Sequence, residues 1–155
     1  MQSLIEQAKV IQCVAPAIQG GGGHGTWINT KNYDKVTFII QTGSVSTGGN
    51  VFVKKNDAAS DSSASTHQIT SYYKRTASTD TYTKTNADTS SSNNCIAVTN
   101  VNNLTYVVDV NAAELGENHF VTVEHPAAFS SCNFSVTAIA HKARYQQAAP
   151  PTALT

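Results

Sequence analysis

Apolar and polar side chains alternate every second residue through several separate stretches of this chain, and that period leaves little room for anything but an extended fold. In residues 35–41, Val36, Phe38 and Ile40 fall on one side of a strand, while Thr37, Ile39 and Gln41 form a mixed second side. Residues 50–55, with Val51, Phe52 and Val53, read as another strand, and Gly48-Gly49 just before them is a turn signal. The two stretches together predict a hairpin. Residues 104–110 set Tyr106, Val108 and Val110 against Thr105, Val107 and Asp109. Residues 119–125 set Val121 and Val123 against Phe120, Thr122 and Glu124, and residues 133–141 put Phe134, Val136, Ala138 and Ala140 on one face.

The connections suit such strands. Residues 126–131 contain Pro126 and serines and predict a loop. Residues 111–116 predict one helical turn, capped by Asn111 and ended by Gly116 in a left-handed conformation. Near the N-terminus, Val10, Gln12 and Val14 alternate as in a strand, and Pro16 stops any helix there. The middle, residues 56–94, is rich in Ser, Thr, Asp and Ala and supports only weak strands at 67–73 and 80–85. The tail beyond Tyr145 is polar and marked by Pro150-Pro151. About eight to ten short strands with almost no helix predict an all-β, single-domain β-sandwich of jelly-roll-like type. Residues 1–25 form an extended N-terminal arm with a Gly-rich hinge, 26–146 the sandwich and 147–155 a short C-terminal tail.

Charge and cysteine content narrow the functional classes. Ten basic and ten acidic residues cancel, and charged residues make up 13% of the chain, about half the usual quarter. Ser, Thr and Asn contribute roughly 30%. A neutral chain with scattered basic residues carries no field that would draw in nucleic acid or an anionic membrane, so neither is expected as a partner. No apolar run approaches the length of a membrane span, and Glu6 and Lys9 interrupt the N-terminus where a signal peptide needs an apolar core. Cys13, Cys95 and Cys132 are odd in number and widely spaced, which predicts buried thiols in a reducing cytoplasm rather than disulfides or a zinc site.

Catalytic and cofactor patterns are weak. The run from Gly20 to Gly25 formally matches a dinucleotide-binding glycine motif, but Thr26-Trp27-Ile28-Asn29 follows where a helix should begin, so a flexible hinge is the better reading. The five histidines lack metal-ligand spacing, and no serine lies in a nucleophile elbow. The chain is expected to be no enzyme and to need no cofactor or metal. The residues that stand out are suited to contacting protein: Trp27, the Tyr72-Tyr73 pair and Tyr145 beside Arg144 as amphipathic anchors, with Val10, Gln12 and Val14 on the N-terminal strand.

Three stretches in order, INTKNYDKVTF at 28–38, VVDVNAAEL at 107–115 and a closing ARY at 143–145, follow an extended arm. In this the chain resembles the head decoration, or cement, proteins of tailed bacteriophages. The resemblance implies a sandwich or jelly roll clamped on the outside of a capsid, with the major capsid protein as partner. It implies a virion location after assembly in the host cytoplasm. An N-terminal strand held beyond a glycine hinge would also let copies pair edge to edge as a homodimer or homotrimer. A β-sandwich module that binds glycans, or that completes the head or tail, is the alternative.

Overall fold

A computed structural model describes residues 8–19, 21–76, 78–89, 94–125 and 132–143. The strands are β1 Ala8–Gln19, β2 Gly23–His24, β3 Ile28–Asn29, β4 Tyr33–Thr42, β5 Gly49–Asn56 and β6 Ser65–Thr66. They continue with β7 Ser71–Arg75, β8 Thr83–Asn86, β9 Ile96–Val98, β10 Thr105–Asn111, β11 Phe120–His125 and β12 Cys132–Ala143. The first sheet runs β1-β12-β4-β10-β7-β8; the second runs β2-β11-β5-β6, with β3 also on β11 and β9 on β5. Each sheet buries one side against the other, and the buried apolar residues of both merge into one core. This is the expected all-β sandwich.

The alternation explains the burial strand by strand. On β4, Val36, Phe38 and Ile40 are wholly buried, and β12 supplies Phe134, Val136, Ala138 and Ala140 on the same side. β10 adds Tyr106, Val108 and Val110, and the second sheet answers with Val51, Val53, Val121 and Val123. Each large side chain hidden in this way contributes about 1.5–3 kcal/mol.

The predicted hairpin does not form. β4 lies between β12 and β10 in the first sheet, whereas β5 pairs with β11, β6 and β9 in the second. The connection crosses the sandwich. Its glycine is needed for close approach: a Cβ on Gly48 would collide with the carbonyl oxygen of Val98. Strands in the middle of the chain form at β7 and β8, a few residues from where they were expected.

The arm and hinge are also built into the body as far as they are described. β1 pairs antiparallel with β12 from Ala8 opposite His141 to Gln19 opposite Cys132, with irregularities around Val14. At that bend the strand reaches the second sheet. The amide of Thr26 donates to the carbonyl of Cys13 at 2.8 Å, and that of Gly25 to Val123 at 2.9 Å. The buried Thr122 hydroxyl donates to the carbonyls of Gly25 and Thr26 at 2.9 and 3.2 Å. Gly25 is therefore a packing residue. A Cβ there would strike the Cys13 sulfur and sit 2.9 Å from its carbonyl oxygen and 3.0 Å from a Val14 methyl.

The predicted helical turn is a 3-10 helix, Ala112–Leu115, with buried Leu115 pointing inward. Asn111 precedes it in an extended conformation, but its side chain donates to the Glu114 carboxylate at 2.7 Å instead of capping the backbone. Gly116 has φ 67° with ψ −126°, a combination open to glycine but outside the left-handed helical region. Cys13, Cys95 and Cys132 are buried thiols outside any disulfide, as expected. Burial pushes the Cys13 and Cys132 thiols above their ordinary pKa. The predicted loop at 126–131, residues 1–7 of the arm and the tail lie outside the described residues.

Two measurements check this packing. Gly25→Ala should lower the urea unfolding free energy by about 1–3 kcal/mol through overpacking. Gly21→Ala should be close to neutral, since nothing lies within 4 Å of a Cβ at Gly21. Equal tolerance at both positions would restore the hinge reading. Native protein should resist a thiol-specific disulfide reagent, and all three cysteines should react once it is unfolded.

Candidate interaction surface

The residues that β4, β10 and β12 do not bury form the outer face of the first sheet, and register sets their arrangement. One cross-strand row runs Lys84, Tyr73, Val107, Ile39, Thr137 and Gln12 from β8 to β1. The next runs Asp109, Thr37, Ile139 and Val10. An apolar band thus crosses the sheet diagonally: Tyr73 and Val107 at one side, Ile39 at the centre, Ile139 and Val10 at the other. Val10 is 52% exposed and Tyr73 45%, while the isoleucines and Val107 are half-buried by neighbours on the same face.

Near the centre of this face, opposite charges are paired. Lys35 forms an ion pair with Asp109, which also accepts a hydrogen bond from the Thr37 hydroxyl at 2.6 Å. Thr37 lies 3.0 Å from the His141 ring nitrogen Nε2. With its hydroxyl proton directed at Asp109, Thr37 can only accept from His141, which assigns the proton to Nε2.

The two edges of this sheet are poorly suited to adding another strand. β1 carries an exposed Lys9, in register with Ala140, and is bent around Val14. β8 is four residues long and bears Lys84. Edge lysines, bends and short edges are among the usual defences against edge pairing.

At the β7 and β10 side, the face deepens into a groove of about 530 Å³. Its walls are Tyr73 and Lys84 from the first sheet, Lys55 from the second, and Asp109, Asn111 and Glu114 around the 3-10 helix. His67 forms part of the floor. Its amide donates to the Val53 carbonyl at 2.8 Å, and its side chain is buried with Nε2 3.8 Å from the Glu114 carboxylate. Burial, reinforced by the nearby Lys55 charge, holds the His67 pKa below 6.5, and Glu114 only partly opposes this.

The structure sorts the expected contact residues into groups. Val10, Gln12 and Tyr73 share the outer face of the first sheet. Val14 and Tyr72, expected beside them, are core residues instead. Tyr72 is 4% exposed, with its ring tilted against Tyr106 at 5.9 Å, because its neighbour Tyr73 takes the outward position of the strand. Arg144 and Tyr145 lie outside the described residues. Trp27 sits apart and half-buried. Its indole N–H donates to Asp61 at 3.0 Å, and its ring stacks on His24 at 6.3 Å between centroids. There it anchors the loop at 57–64. His24 places Nδ1 3.2 Å from Asp61 and Nε2 3.6 Å from Glu124. The two ring nitrogens point apart, so these carboxylates do not converge on one ion. Among the described residues no group of three His, Cys, Asp or Glu side chains is placed to hold a metal.

Comparison with known proteins finds no matching family model and no matching curated protein. A solved structure that resembles the chain is the crystal structure of SPBc2 prophage-derived protein YomS, at a TM-score of 0.49 and 13% identity, covering 87% of this chain and 93% of that one.

The state of His67 has a measurable consequence. The unfolded chain binds a proton at His67 below 6.5 more readily than the folded one does. The contribution of this site to stability is therefore complete above that pH and is lost as pH falls toward the lowered folded value. Urea midpoints measured between about pH 7.5 and 5.5 should fall with acidification, and His67→Gln should flatten the slope. Identical slopes would show that His67 is not the titrating group.

Proposed function

We propose that this protein is a structural component of a phage particle that binds the outside of the capsid as a decoration protein and stabilises it. The observation that carries the reading is the outer face of the first sheet. A broad, flat surface of Val10, Gln12, Ile39, Thr137 and Ile139, with Lys35 and Asp109 paired beside it, suits a large protein partner better than a small substrate. Its half at β1, β12 and β4 is the proposed contact with the major capsid protein. The resemblance of three sequence stretches to decoration proteins supports the same reading.

Attachment to a finished lattice requires contacts that exist only once the lattice does, and each contact formed adds to particle stability by mass action. A neutral face of threonines, amides and aliphatic side chains meets that need: it desolvates cheaply and is insensitive to salt. Copies that meet on the lattice, as a homodimer or homotrimer, would use such faces and loops, since β1 and β8 resist edge pairing. No catalysis or cofactor enters this role.

Mass spectrometry of particles purified from the strain that encodes the chain should find it in copy numbers comparable with the major capsid protein. Val10→Asp should reduce its retention on particles by about tenfold or more by placing a charge in the desolvated contact, while leaving the unfolding midpoint within about 1 kcal/mol of the parent. Absence from particles, or undiminished retention of the variant, would refute the proposal.

A further inference from the structure

The groove at the other half of the same face carries features that docking on a capsid does not use. Tyr73 presents an exposed ring at its wall, directly across the strand pair from Lys84 and beside Val107. Lys84 and Lys55 approach from different sheets. Three cations elsewhere in the molecule lie beside carboxylates: Lys35 at Asp109, Lys54 at Glu124 at 2.9 Å, and Arg75 at Asp80 at 3.9 Å. Among the described residues neither Lys55 nor Lys84 has such a carboxylate.

The carboxylates of the groove are already engaged. Asp109 is held by Lys35 and Thr37, and Glu114 accepts from Asn111 at 2.7 Å and faces His67. The groove therefore offers an aromatic platform, two ammonium groups without a protein counterion, and amide and hydroxyl groups around them. An apolar ligand would leave these polar groups unpaired, and a bare anion would leave the ring face unused. A sugar ring stacks its C–H face on an aromatic side chain and presents hydroxyls at its rim, and a carboxylate on the sugar answers the lysines.

We propose that this groove binds a short acidic saccharide, a hexuronate-containing oligomer, with one ring on Tyr73 and a carboxylate at Lys84 and Lys55. The proposal stands independently of capsid attachment, because binding is measured on the free protein.

The test is a titration of the isotopically labelled full chain, followed by amide chemical shifts. The probes are tetragalacturonate and, as the neutral comparison, cellotetraose. Tetragalacturonate should shift resonances of Tyr73, Lys84, Val107 and Asn111 and not those of β1. Cellotetraose should bind about tenfold more weakly or worse. Tyr73→Ala and, separately, Lys84→Gln should each weaken tetragalacturonate binding about tenfold, with the remaining spectrum confirming a folded chain. No shift with either probe, equal binding of the two, or unchanged binding by both variants would overturn the proposal.

Discussion

What appears on the surface of this molecule depends on the register that β4 holds between β12 and β10. Val36 lies between Ala140 and Val110, and Phe38 between Ala138 and Val108, all of them buried. A slip by one residue would drive Thr37 and Ile39 inward and expose Val36, Phe38 and Ile40, reversing every side chain at once. Several large residues would lose their burial together, so the register is strongly specified. The outer row of Ile39, Thr137, Val107 and Tyr73 is the necessary reverse side of the same pairing.

A second constraint closes the sandwich at its margin. β1 belongs to the first sheet, yet at Cys13 it is bonded to the segment that leads into the second. Thr122 is drawn into the core there, although it is polar, because its hydroxyl finds two carbonyls in reach. This tie removes the freedom that a run of glycines would otherwise give, and it explains why one of them cannot carry a side chain.

The strands with clear alternation, β4, β10 and β12, were legible in the sequence together with the faces they bury, since period two is a local property. β2, β3, β6 and β9 are two or three residues long and exist through pairing with distant partners, which no local pattern reveals. The hairpin was misjudged because glycines signal a turn without saying whether the chain returns to the same sheet. Of the adjacent Tyr72 and Tyr73 only one could face outward in a strand, and alternation alone did not choose between them. Ile39 and Val107 were visible as apolar residues on polar sides. The groove was not foreseeable, because Lys55, Tyr73, Lys84, Asp109 and Glu114 are brought together only by the fold.

The functional account rests on one face with two differently built halves, a neutral aliphatic half at β1, β12 and β4 and a polar groove at β10, β7 and β8. Burying the first against a shell would leave the second near the rim of the contact, where it remains open to solvent. Cryo-electron microscopy of the purified particle tests this most directly. The account predicts density for the sandwich on the outer surface of the shell, with Val10, Ile39 and Ile139 turned toward the capsid protein. A particle surface without this domain, or a bound domain with those residues facing solvent, would contradict it.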